Sequence, residues 1–193
     1  AWLDFAMPES EKELVTANID NRKRLPITLL LKALGARNNE DILKLLDIGT
    51  VFKTFNEELK GCMLAENVIN ADGEIIQYMS GQIQKSAVKG TIIDEDLLSK
   101  LYEELPGRDS GVVIYDMDKG LARTLDRDKT QSPDEAIQDI FRRLRPNELA
   151  RIENARDYFA GLLQDPRRYT LGRVGRYKLN RRLNMDVSED ERL

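Results

Sequence analysis

The sequence predicts an α+β domain, with helical elements near both ends of the chain and a strand-rich insertion in the middle. Two observations point there. The segments "LPITLLLKALG" and "SPDEAIQDIFRRLR" carry apolar residues at helical spacing between helix start and stop signals. Between them, "KGCMLAENVINADGEIIQYMSGQI" has β-branched residues around the turn-forming "ADGE". With 193 residues, 41% hydrophobic and 33% charged, the chain can bury a sizeable core as one large domain or two small ones.

Taken in order, "WLDFAM" and "LVTANID" read as short strands separated by the polar turn "PESEKE". Pro26 is placed to open a helix at its first turn, with Gly35 as the stop. "NNEDILKLLDIG" repeats the design, with an Asn cap, acids in the first turn, apolar Ile42, Leu45 and Leu46, and then Gly49. "DEDLLSKLYEEL" spaces Leu97, Leu98, Leu101 and Leu105 as one helical face, ended by Pro106 and Gly107. "GVVIYDM" reads as a buried strand. Ser132, Pro133 and Glu135 form a capping box for the following helix, which Pro146 stops. "IENARDYFAGLLQD" supplies one more, with Ala155, Tyr158, Phe159 and Leu162 on one side.

Composition removes several chemistries. There is no histidine, so His-based acid–base catalysis, Ser-His-Asp and Cys-His nucleophiles and His-containing metal sites are excluded. The single Cys62 makes neither a disulfide framework nor a zinc–thiolate site and suits a reducing compartment. "DRDKT" and "SEDE" lack EF-hand spacing and read as solvated loops. "GRVGR" has two glycines three apart but no preceding apolar strand, so it is no dinucleotide fingerprint. Lys32 interrupts the longest apolar run, no segment is suited to span a bilayer, and "AWLDFAMPESEK" lacks the features of a signal peptide. The expected location is cytoplasmic.

Charge is unevenly spread. Of 30 basic and 34 acidic residues, 12 and 4 respectively fall between Arg142 and Leu183, which leaves the rest of the chain twelve charges negative. A basic block on an acidic body fits a polyanion-facing side, although charge blocks are more often solvated helix faces. Within it, Tyr169, Leu171, Val174, Tyr177 and Leu179 are expected to pack as core, and the glycines of "LGRVGRYK" to allow a close approach or a turn.

The ordered set "WLDF", "NIDNRKRLPITLLLKALG", "GCMLAENVINADGEI", "TLDRDKTQSPDEAIQDIFRRLRP" and "ENARDYFAGLLQDPRRYTLGRVGRYKLNRRL" resembles the β subunit of bacterial DNA-directed RNA polymerase. The resemblance covers most of the chain and thins between about Ile76 and Arg123. It implies that residues 1–185 are the lobe, or second domain, of that subunit, with a lineage-variable, strand-rich insertion over about 50–123 and an acidic mobile tail over 186–193. The chain is then a fragment of a longer subunit.

The resemblance also implies a function. The lobe forms one side of the downstream DNA channel and contacts the non-template strand. It is non-catalytic, although the parent complex is a nucleotidyltransferase whose Mg²⁺ is bound by another subunit. Partners are DNA, the β′, α and ω subunits, sigma factor and transcription regulators. Trp2 matches a tryptophan that stacks on a non-template base, while a lone Trp beside Leu3 and Phe5 also suits a core anchor. Asp20 matches an acidic residue near the same base, and Arg22 stands beside Asn21, where many relatives have arginine. Arg145 matches an arginine close to the non-template strand, and Arg168 the family's arginine before the tyrosine, a second strand contact. After Pro146 the family continues "GEPP", whereas this chain has "NELA". The competing reading is a protein-interaction module that docks transcription factors, with DNA contact incidental.

Overall fold

A computed structural model describes residues 3–7, 13–19, 23–105, 107, 110–163, 165 and 171–188. The chain opens with three short strands, β1 (Leu3–Ala6), β2 (Thr16–Ile19) and β3 (Lys23–Pro26), forming an antiparallel meander in the order β1-β2-β3. Its register sets Leu3 opposite Ile19 and Ala17 opposite Leu25, so these residues share one face. Ala17, Ile19 and Leu25 are fully buried there, while Leu3 and Phe5 extend the same face beyond its cover and stay exposed.

Helix α1 (Ile27–Ala33) follows directly, with Pro26 as its N-cap residue rather than inside its first turn. Proline suits this junction because it ends an edge strand and lacks an N–H that would go unused. Gly35 takes φ +125° and stops the helix, a conformation glycine adopts without a Cβ clash. Helix α2 (Asn39–Leu45) is capped by Asn38, whose side chain accepts from the Asp41 amide at 2.9 Å. Two expectations for α2 are corrected. Ile42 and Leu43 face the core while Leu45 and Leu46 are exposed, and the left-handed residue that ends the helix is Asp47, not Gly49.

The strand-rich middle begins at β4 (Thr50–Thr54), which pairs antiparallel with β7 (Gly111–Tyr115). Beyond β7, Leu64 bridges to Ile114 and Met63 to Ile92, which extends the pairing across the insertion. "ADGE" does form a reversal: Ile69 bridges to Ile75, and Gly73 adopts φ +82° at its tip. A true hairpin follows, β5 (Gln77–Ser80) with β6 (Ile83–Ser86), turning at Gly81. Helix α3 (Glu95–Glu104), capped by Asp94 at 2.8 Å, lays Leu97, Leu98 and Leu101 onto this sheet. Each such fully buried leucine contributes about 1.5–3 kcal/mol.

Helix α4 (Lys119–Arg127) was not anticipated, and it leads through Asp128–Thr130 to α5 (Pro133–Leu144) and α6 (Ile152–Leu163). Buried Ala136 and Ile140 of α5 and Phe159 of α6 meet α1 and the meander in a second apolar cluster. A third cluster, with Ile42, Leu43, Met63, Ala122 and Leu125, joins α2 and α4 to the middle of the chain. The result is an α+β domain in which helices flank a strand-rich middle, as the sequence predicted.

One polar joint locks this arrangement. The buried Lys32 ammonium of α1 lies 3.1 Å from the Asp128 carboxylate and donates to the Thr130 carbonyl at 2.7 Å. Asp128 in turn accepts from the Thr130 hydroxyl at 2.6 Å and the Thr130 amide at 3.0 Å. Burial pushes the Asp128 carboxyl up, but the Thr130 hydroxyl and amide and the Lys32 ammonium outweigh it and hold the group below its ordinary value. "DRDKT" is therefore not simply a solvated loop: Asp126, Arg127 and Lys129 face water, but Asp128 is a core residue.

Candidate nucleic-acid interface

Helix α5 organises the basic surface. Ser132 caps it by accepting from the Glu135 amide at 3.3 Å. Glu135 reaches back to the Gln131 amide at 2.7 Å, one residue earlier than a standard capping box would place it. Arg142 and Arg143 occupy the last turn, where cations offset the carbonyl end of the helix. Arg145 is the C-cap residue, and Pro146, with no N–H to donate, keeps the helix from continuing.

Arg145 is held from two sides. Its Nη1 donates to Glu148 Oε1 at 2.8 Å, and its guanidinium carbon lies 5.2 Å from the centre of the Tyr158 ring. That ring meets Phe141 edge-on at 5.4 Å. Tyr158 first and then Glu148 raise the pKa of Arg145 further. About half of each side chain in the Arg145–Glu148 pair is open to water, so the pairing is exchangeable.

Other cations of the block have different roles. Arg156 binds Asp134 through three hydrogen bonds of 2.7–3.0 Å, tying α6 to the start of α5. Arg143 pairs with Asp139 one turn back at 2.9 Å. In the last helix, α7 (Arg173–Leu183), the expected inside and outside are exchanged. Arg176 is buried, whereas Val174 and Tyr177, expected as core, are exposed at 70% and 53%. Gly172 and Gly175 have no positive φ, so they mark no turn: Gly172 caps the helix and Gly175 lies within it against Leu171.

Beside α5 runs a groove of about 400 Å³, lined by Pro26 and Leu29, by Arg127, Asp128, Lys129 and Thr130, and by Glu135, Gln138, Asp139, Arg142 and Arg143. Each of its acids is already engaged: Asp128 with Lys32, Glu135 with the Gln131 amide and Asp139 with Arg143. Arg127, Lys129 and Arg142 make no ion pair among the described residues, and the Lys129 ammonium donates only to the Asp126 carbonyl, at 3.2 Å. Three cations without an ion pair thus line one groove, together with a Glu135 carboxylate that keeps its charge, and Arg145 follows Arg142 by less than one helical turn. Such an arrangement binds phosphate or carboxylate groups with little regard to what they are attached to. Acidic residues lie on and beside α3 in the insertion, with Glu95 paired to Lys60 and Glu103 and Glu104 to Lys100, while Asp94 and Asp96 form no ion pair among the described residues.

Of the site residues expected from the sequence, Arg145 is the C-cap of α5 and does not itself line the groove, and Trp2, Asp20, Arg22 and Arg168 fall outside the described residues. Arg127 and Lys129 were missed. The available signal was a basic pair between a capped helix and "SPDE", but nothing local indicates that Asp128 is buried and its neighbours thereby turned outward.

The family described as RNA polymerase Rpb2, domain 2 matches residues 2–105 and, in a second overlapping match, 90–193. The chain belongs to that family. Its relatives include the DNA-directed RNA polymerase subunit beta of Flavobacterium psychrophilum, 31% identical over 211 residues, an alignment covering 100% of this chain and 16% of that subunit. The subunit of Bacteroides thetaiotaomicron is 30% identical over 213 residues, with the same coverage. That of Fusobacterium nucleatum is 29% identical over 210 residues, covering 98% of this chain and 17% of the subunit. The domain thus spans about a sixth of the length of the curated relatives it matches. Among its described residues no helix is long and apolar enough to cross a membrane.

Proposed function

We propose that this domain is the non-catalytic lobe of a bacterial RNA polymerase β subunit. It forms one side of the downstream DNA channel and contacts the non-template strand during transcription. The observation that carries this reading is the set of cations without an ion pair, Arg127, Lys129 and Arg142, in the groove beside α5, with half-exposed Arg145 at the C-cap of that helix. A polymerase must hold every gene it transcribes, and phosphate contacts supply a grip that ignores sequence. By the resemblance, Arg22 and Arg168 contact DNA, and Trp2 and Asp20 a non-template base, with the indole providing a stacking face. Chemistry belongs to a Mg²⁺ site on another subunit. The partners are the β′, α and ω subunits, sigma factor and DNA in the cytoplasm.

The acidic surface of α3 favours a second role, docking of transcription regulators on the insertion, away from the basic groove. Salt dependence separates the two. In assembled polymerase, Arg142→Gln together with Arg145→Gln should weaken promoter complexes similarly on unrelated downstream sequences. Removing one phosphate-binding cation should lower the slope of log K against log salt by about 0.9 on duplex or about 0.7 on single strands. An unchanged slope, with regulator binding abolished on neutralising the α3 acids, would favour the docking role.

A further inference from the structure

The loop after α5 places an anion of the protein's own where a phosphate would bind. The Glu148 amide donates to the Arg145 carbonyl at 3.1 Å, which folds residues 145–148 into a turn and brings the Glu148 carboxylate to the guanidinium. Two neighbouring arginine pairs are built differently. Arg156 is committed to Asp134 by a bidentate contact, and Arg143 to Asp139 along a single helix. Of these three arginines, Arg145 is the one that pairs with a carboxylate on a loop and rests on an aromatic ring from another helix.

We infer that Glu148 competes with bound phosphate for Arg145, and that Tyr158 is a positioning residue which keeps the guanidinium aimed outward while the anion is exchanged. The inference rests on the DNA-facing reading of Arg145. With one Nη donor held by Glu148, Arg145 offers less to a stray monovalent anion, whereas a chain of phosphates, held at Arg127, Lys129 and Arg142 as well, displaces the carboxylate. Exposure makes that displacement inexpensive, since a solvated pair contributes little on its own. The Tyr158 ring stays behind when Glu148 leaves, because buried Phe141 braces it edge-on.

The test uses the 193-residue chain and a fluorescent oligothymidylate of about twenty nucleotides, titrated over a range of salt. Glu148→Gln should tighten binding about two- to fivefold at low salt, the factor equivalent to an exposed ion pair. In an Arg145→Gln background the same change should have no effect. Tyr158→Leu should weaken binding and broaden the Arg145 Nε–H resonance, while Tyr158→Phe, which keeps the ring face, should restore both. Equal tightening in both backgrounds would mean a general charge effect and would overturn the competition. So would a weakening by Arg145→Gln with no response to Glu148→Gln, in which case the DNA-facing reading survives alone. If Arg145→Gln leaves binding unchanged at every salt concentration, or if neither the wild-type chain nor the Glu148→Gln variant binds, the inference fails, while the DNA-facing reading is decided by the salt slope of the assembled polymerase.

Discussion

Replacing Asp128 by Asn tests the joint beneath the basic groove. The carboxylate is buried, and it is the charge partner of an equally buried Lys32. Breaking a buried pair from one side typically costs about 3–5 kcal/mol, because it strands the other charge away from water. Asn keeps the shape and an acceptor for Thr130, and Lys32 keeps the Thr130 carbonyl at 2.7 Å, so the lower end, about 3 kcal/mol, is expected. For a domain of this size that corresponds to a fall in Tm of about 6–12 °C. The Asp128 pKa is depressed on folding, so its contribution is present above the unfolded carboxylate value, about 3.9, and lost as pH falls through the folded value. Thermal unfolding of both proteins should therefore show a wide gap at neutral pH that closes below about pH 4. The double variant Lys32→Met, Asp128→Leu should cost less than Asp128→Asn alone, since it leaves no stranded charge. A gap under about 1 kcal/mol at neutral pH, or one that persists unchanged in acid, would refute the argument.

Local geometry sets two further outcomes. Ser132→Ala removes the acceptor for the Glu135 amide and should cost about 1 kcal/mol in urea unfolding, while Ser132→Asp should restore it. Gly111→Ala would press a methyl group into the Lys53 carbonyl and the Phe52 ring across β4 and β7, so it should destabilise by about 1–3 kcal/mol, with hydrogen exchange accelerated in those two strands first.

Much of this fold is legible because local chemistry and packing agree. Asn38, Asp94 and Ser132 cap their helices, Gly35 stops one in the left-handed region, and Leu97 and Leu101 lie on the buried side of α3. The misreadings occur where a distant partner decides. In α2 the choice of Leu43 over Leu45 as the inner residue is set by Met63 and Leu125, which no local pattern reveals. Helix α4 has a glycine in its first turn and hides Thr124, whose hydroxyl accepts from the Val15 amide at 3.0 Å, a pairing across 109 residues. In α7, "RVGRYKLNRRL" offers Val174 and Tyr177 as natural core residues, yet Arg176 is the one that turns inward. The candidate site shows the same division. The family motif and the Pro146 stop single out Arg145 as a candidate, whereas the outward turn of Arg127 and Lys129 depends on the burial of Asp128 between them.

In the proposed function the end of α5 faces DNA. A photo-crosslinking residue substituted at Arg142 in assembled polymerase, halted in an open promoter complex, tests this without relying on affinity. Substitution at a groove position leaves the Arg145–Glu148–Tyr158 contacts in place. Crosslinks to the non-template strand near the downstream edge of the melted region, reduced by added salt and recurring on unrelated promoters, are the predicted result. Crosslinks confined to protein, unchanged by salt or by the presence of DNA, would contradict it.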